Sequence, residues 1–155
     1  MTSRKSKARR RFVVRNSGIH GKGVFATTRI PAGIRLVEYK GERLTDAQVD
    51  QRYAKDDNPH TFLFALDHGM VIDASNGGNS ARWINHSCAP NCEAVDDEDR
   101  IYIETLRAIR PGEELSYDYC IELEERHTPE LKRLYQCRCG ARRCKGTILH
   151  AKKKK

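Results

Sequence analysis

Arg82-Trp83-Ile84-Asn85-His86-Ser87-Cys88-Ala89-Pro90-Asn91-Cys92 is dense in hydrogen-bonding and metal-ligating side chains. Two readings of this run compete on its residues alone. Residues two apart on an extended segment share a face, so His86 could serve as base to a nucleophilic Cys88. The plainer reading is a capped turn with buried polar groups.

Three further clusters lie outward from this run. Downstream, Glu114-Leu115-Ser116-Tyr117-Asp118-Tyr119 puts two phenols on one side of a strand. Such a pair lines a narrow slot with two hydroxyls, or packs as aromatic core. Upstream, His20-Gly21-Lys22-Gly23 sits between two apolar runs. Glycines there admit a ligand close to the backbone, although an ordinary turn needs no more. At the C-terminal end, Cys137-Arg138-Cys139 and Cys144 form a C-x-C-x4-C pattern. Three thiols so close are strained as disulfide partners but well placed around one tetrahedral zinc ion. Zinc takes four ligands. Cys88, Cys92, Cys120 and the histidines are candidates for the fourth.

Composition narrows the class. The chain has 155 residues, six cysteines and a formal net charge of +8. Six cysteines allow 15 pairings, but no apolar signal segment follows the basic N-terminus, so metal binding is expected in preference to disulfides. No apolar run approaches the roughly 20 residues of a membrane span. Residues 1–11 carry six Lys/Arg and residues 137–155 carry eight, with no acid in either stretch. Taking those fourteen from the 29 basic residues leaves 15 against 21 acidic ones, so an acidic body lies between basic ends. Such ends attract phosphate polymers or are simply solvated, and such a body attracts basic peptides.

Short apolar runs and frequent turns predict a mostly β domain of small sheets. Strands are expected at Arg11–Arg15, Gly23–Ala26, Ile34–Tyr39, Thr61–Leu66, Met70–Ile72, Cys92–Val95, Arg100–Leu106 and Glu114–Tyr117. Thr45 with Gln48 three residues on predicts a capped helix over Thr45–Tyr53. Thr128 followed by Pro129 predicts another.

Taken in order, five stretches resemble the SET domain of protein-lysine methyltransferases with its post-SET module. They are G-I-H-G-K-G-V-F-A (Gly18–Ala26), V-E-Y-K-G-E (Val37–Glu42), R-W-I-N-H-S-C-A-P-N-C (Arg82–Cys92), G-E-E-L-S-Y-D-Y (Gly112–Tyr119) and C-R-C-G-A-R-R-C-K-G-T-I (Cys137–Ile148). The resemblance implies small β-sheets around a knot-like C-terminal crossing, few short helices and a zinc-bound tail. It divides the chain into a basic tail (1–10), the SET domain (11–120), a helical connector (121–136), the post-SET module (137–150) and a lysine tail (151–155).

The resemblance also implies roles. S-adenosylmethionine is the expected methyl donor, held by His20, Gly21, Lys22, Gly23, Phe62, Asn85, His86, Arg138 and Ile148. Phe62 stands where some relatives carry tyrosine. Tyr119 is expected to be the essential residue, with Tyr117 and Tyr39 walling a lysine channel. One zinc is expected on Cys88, Cys137, Cys139 and Cys144, which occupies the thiolate that a Cys88 nucleophile would need and leaves Cys92 and Cys120 without a role. The implied function is methyl transfer to a lysine of a histone or other basic protein, favouring mono- and some dimethylation. The competing function is a non-catalytic, zinc-stabilised basic module that binds nucleic acid or chromatin. The expected protein is monomeric and intracellular. It would lie in the cytoplasm or on the nucleoid of a bacterium, or in the nucleus of a eukaryote, without membrane contact.

Overall fold

Alternating apolar residues build most of the core. On strand β9 (Arg100–Thr105), Ile101, Ile103 and Thr105 point inward while the intervening residues face outward. The computed structural model describes residues 11–19, 21–55, 62–122 and 126–150. Among them β9 is the middle strand of a three-stranded sheet, between β3 (Arg35–Glu38) and β8 (Cys92–Asp97). A second three-stranded sheet holds β4 (Glu42–Thr45), β6 (Met70–Asp73) and β5 (Leu63–Ala65), with β6 in the middle. A hairpin joins β1 (Phe12–Asn16) to β2 (Lys22–Ala26). All of these pairings are antiparallel. Val24, Ile30, Ile84, Ile103, Ile109 and Leu115 meet at the centre, each under 2% exposed. Each such side chain contributes about 2 kcal/mol on burial.

One pairing differs. β7 (Asn85–His86) and β10 (Ser116–Tyr117) run parallel, with Ser116 opposite Asn85 and Tyr117 opposite His86. Two residues make a poor strand alone, and Asn91 supplements the ladder. Its amide oxygen accepts from the Ser116 N–H at 2.9 Å, and its NH₂ donates to the Glu114 carbonyl at 2.9 Å. The C-terminal segment thereby passes directly beside the Asn85–Cys88 run.

Helix α1 (Asp46–Arg52) begins at the expected capping box. Gln48 N donates to Thr45 Oγ1 at 3.2 Å, and Thr45 N donates back to Gln48 Oε1 at 2.8 Å. The helix buries no residue, so polar contacts tie it down. Asp73 is fully buried and accepts from Arg52 (3.1 Å) and Tyr53 (2.6 Å). Burial alone would raise the Asp73 carboxyl, but these bonds and those from Ser75 hold it below the ordinary value.

Helix α2 (Pro129–Leu134) starts at Thr128, whose hydroxyl accepts from Leu131 N at 3.1 Å. The last described residues then return to the body through a parallel bridge of Leu149 to Ile121. The expected strands at Cys92–Val95 and Arg100–Leu106 lie within a residue or two of β8 and β9. Thr61 and the two tails lie outside the described residues.

Candidate active site and cysteine centre

Strand β7, with Tyr119 just beyond β10, forms one edge of a cleft of about 760 Å³. This falls within the usual range for a small-molecule site. Gly21, Lys22, Asn85, His86 and Tyr119 line one side, and Phe62, Arg82 and Trp83 line another. The segment Arg133–Arg138 and Ile148 close the third. The cleft therefore gathers most of the residues expected around a cofactor. Gly23 is not among its lining residues, and His20 lies outside the described residues.

Hydrogen bonds fix the orientations of Asn85 and His86. The Asn85 amide donates to the Lys22 carbonyl (3.0 Å) and to Glu114 Oε2 (2.8 Å). His86 is buried, and its Nδ1 accepts from the Tyr119 N–H at 3.0 Å. Burial lowers the His86 pKa, so the ring is neutral and its proton sits on Nε2. That nitrogen lies 3.6 Å from Cys88 Sγ. His86 therefore donates towards the sulfur and cannot take a proton from it. The nucleophile-and-base reading of this pair fails on that tautomer.

Three phenols converge beside the cleft. The rings of Tyr117 and Tyr119 are 4.9 Å apart, and Tyr119 meets the edge of His86 at 5.4 Å. The Tyr119 hydroxyl donates to the Ile84 carbonyl. Tyr39 donates to the Phe62 carbonyl at 2.8 Å. Burial pushes all three phenols above their ordinary value, so each stays protonated at neutral pH. With its proton on Ile84, the Tyr119 oxygen offers lone pairs only.

Cys88, Cys137, Cys139 and Cys144 come together, all four sulfurs within 4.8 Å of one another. A tetrahedral zinc with bonds of about 2.3 Å sets sulfurs roughly 3.8 Å apart. Cys88 and Cys137 are 3.8 Å apart. Backbone N–H groups point at the cluster, from Lys145 to Cys88 and from Gly146 to Cys144, each at 3.4 Å. Burial pushes the Cys88 and Cys137 thiols up. At Cys139 burial pushes the thiol up, but hydrogen bonds from backbone N–H groups and from the Cys144 and Cys137 thiols outweigh it and bring the thiol down to about 6. Four close sulfurs with amide donors suit a divalent cation. Cys92 is packed in the core, where burial raises its thiol to about 11, and Cys120 is exposed.

Residues 21–120 match the family model for the SET domain. The chain belongs to the SET domain family. The histone-lysine N-methyltransferase trithorax of Drosophila virilis is 40% identical over 135 residues, covering 83% of this chain and 3% of the relative. The H3 lysine-4 specific histone-lysine N-methyltransferase of Saccharomyces cerevisiae is 38% identical over 150 residues, covering 92% of this chain and 14% of the relative. The histone-lysine N-methyltransferase SETD1B of Xenopus laevis is 37% identical over 139 residues, covering 85% and 7%. The chain thus spans a small part of each curated relative, 3% of the first and 14% of the second.

This SET domain also holds site residues that sequence reasoning left without a role. Trp83 has two cations near its ring, Lys22 Nζ at 5.0 Å and the Arg82 guanidinium at 4.8 Å. The end of α2 and the residues after it, Arg133–Gln136, form a wall of the cleft. Their charge and polarity gave no signal, since any exposed helix end reads the same. Glu114 accepts from both Asn85 and Ser17, while the neighbouring Glu113 pairs outward with Arg107 at 3.1 Å. Only the fold distinguishes the two.

Proposed function

We propose that this SET domain, acting as a single chain, transfers methyl groups from S-adenosylmethionine to the ε-amine of a lysine in a histone or other basic protein. The observation that carries the proposal is the convergence of Asn85, His86 and Tyr119 on one cleft beside the Tyr39–Tyr117–Tyr119 cluster. The donor set fits the cofactor. Asn85 offers its amide, Gly21 and Lys22 offer backbone, and Trp83 and Phe62 offer aromatic faces. When bound, S-adenosylmethionine would supply a sulfonium methyl that a neutral amine can take, the C–S bond breaking as the N–C bond forms and S-adenosylhomocysteine leaving.

The chain's own residues do the rest. A free lysine loses its proton at pH 7 at a cost of about 4.6 kcal/mol. The buried phenols are protonated and cannot take that proton, so it leaves through water. The apolar, ring-lined channel lowers the cost by disfavouring the ammonium. The Tyr119 oxygen, its proton held by Ile84, accepts from the amine and aligns it. Alignment of this kind contributes several kcal/mol. Cys88, Cys137, Cys139 and Cys144 hold one zinc that ties the C-terminal wall to the body.

Tyr117 sets the product. The residue is 3% exposed and its ring packs 4.9 Å from that of Tyr119; on this reading its hydroxyl takes space that a methylated amine would need. The wild type should yield mainly monomethyl lysine with some dimethyl. Tyr117→Phe should shift the product towards di- and trimethyl lysine, read by mass spectrometry of a peptide. An unchanged distribution would remove Tyr117 from this role and leave the transfer reaction standing.

A contact with nucleic acid is favoured by a separate observation. Every Lys and Arg in residues 126–150 is exposed, and none is in an ion pair among the described residues. Glu130 is the one acid among the described residues of that stretch. This unit presents unneutralised cations to a phosphate backbone, and the sequence adds four lysines after it, which suits an enzyme working beside chromosomal DNA. Deleting residues 1–10 and 151–155 should weaken duplex DNA binding and flatten its salt dependence, with turnover on a short peptide retained. Equal DNA affinity after deletion would mean that the tails are only solvated.

A further inference from the structure

Resting on the zinc reading above, we infer that His86 is a positioning residue whose imidazole tunes the metal centre through Cys88 and ties that centre to the backbone of Tyr119. The residue stands where the body and the C-terminal unit join. Cys88 is the one sulfur of the cluster that the body contributes, and Cys137, Cys139 and Cys144 all follow α2. The ring's two nitrogens have fixed duties. Nδ1 accepts from the Tyr119 N–H at 3.0 Å, and a backbone N–H can only donate. The ring proton is therefore on Nε2. Asp118 Oδ1 stands 3.7 Å from Nδ1, too far for a hydrogen bond that would hold a proton there. Nε2–H is left facing Cys88 Sγ at 3.6 Å. The ring cannot turn over to exchange these duties. It is buried and packs edge-on against Tyr119 at 5.4 Å, and a flip would set carbon against the Tyr119 N–H.

The β7–β10 ladder explains why a side chain is needed here. Its last backbone bond runs from Ser87 N to the Tyr117 carbonyl at 3.2 Å. Tyr119 comes after the ladder has ended, just ahead of the left-handed turn at Cys120 (φ 50°). His86 supplies the acceptor that keeps the Tyr119 backbone beside β7. Its other nitrogen serves the sulfurs. Four thiolates overcompensate one divalent cation, and N–H donors relieve the surplus negative charge on sulfur. Backbone groups do this at Cys139, from Cys88 and Ala141, and at Cys144, from Gly146. At Cys88 the Lys145 backbone is joined by the imidazole. One ring therefore spans the metal centre and the segment that carries the Tyr119 hydroxyl, so the metal acts on Tyr119 as well as on the cleft wall.

Two substitutions in the full chain separate the halves of this bridge. His86→Asn keeps an acceptor near the place of Nδ1 and loses the donor to sulfur. His86→Gln keeps a donor near the place of Nε2 and loses the acceptor for Tyr119. Zinc affinity, measured by competition with a chelator, should fall about tenfold or more in His86→Asn and stay within about threefold of wild type in His86→Gln. Hydrogen exchange at the Tyr119 amide should show the opposite order, with protection kept in His86→Asn and lost in His86→Gln. A third measurement needs no substitution. In wild type loaded with a spin-active cadmium isotope, the His86 Nε2 proton should show scalar coupling to the metal through the Cys88 sulfur, a signal that packing alone does not produce. Equal zinc affinities in the two variants, or absence of that coupling in a chain that holds cadmium, would overturn the inference and leave the metal reading standing. A wild type that takes up neither zinc nor cadmium would remove the metal reading itself, and this inference with it.

Discussion

Tyr119→Phe is expected to lower methyl transfer by about 10²-fold or more, the scale seen when one well-placed polar group is removed from an active site. The substitution is clean because the ring has its own supports. It packs 4.9 Å from Tyr117 and 5.4 Å from His86, and the Tyr119 N–H stays bonded to His86. Only the oxygen is lost, along with its bond to the Ile84 carbonyl. Leaving that carbonyl without the hydroxyl costs about 1 kcal/mol, a fall of a few degrees in melting temperature. Cofactor affinity should hold within about twofold, because the phenol sets the amine and not the nucleotide. Single-turnover transfer onto a labelled peptide, run beside a thermal melt and a binding titration, checks all three. A rate within threefold of wild type would show that the hydroxyl does not touch the reaction.

Removing the proposed zinc is expected to have an effect as large, by a different route. The stretch 126–150 has one six-residue helix with no buried residue, and its buried side chains are Cys137 and Leu149. Such a unit cannot hold a fold on apolar burial alone. Zinc binding to four thiolates supplies roughly 10–16 kcal/mol of folding free energy in small modules. The same stretch supplies the cleft wall at Arg133–Arg138 and Ile148. Cys88→Ser, Cys137→Ser, Cys139→Ser or Cys144→Ser should therefore cut the zinc content below one per chain and weaken cofactor binding in step. Cys92→Ser and Cys120→Ser should keep the metal. Elemental analysis beside calorimetry decides the matter. Full zinc retention in Cys88→Ser would mean that the fourth ligand is another group.

The sequence carried local features well and long-range ones poorly. The Thr45–Gln48 box and the Thr128–Pro129 start each describe a helix end that four residues determine, and both formed as expected. β4 and β7 had no such mark. Glu42-Arg43-Leu44-Thr45 buries only Leu44, too little for an alternation to register. Asn85–His86 becomes a strand only because Ser116–Tyr117 lies alongside, an arrangement that no window around residue 85 contains. The site divides in the same way. Asn85, His86 and Tyr119 were marked by motif, whereas Glu114 and the Arg133–Gln136 wall depend on which segments meet. The residues left Cys88, Cys92, Cys120 and the histidines open as fourth ligand, and position in the fold separates the cysteines. Cys92 is committed to the core, Cys120 faces solvent, and Cys88 is held against the other three sulfurs.

The parallel bridge between Ile121 and Leu149 governs timing as well as architecture. A growing chain can complete its sheets once residue 117 has left the ribosome, because each strand then has its partner. It cannot complete the cleft. The third wall and three of the four thiols arrive with the last two dozen described residues, after everything they dock against. Nascent chains should therefore pass through a folded but inert stage, with no partly active form to modify bystanders during synthesis.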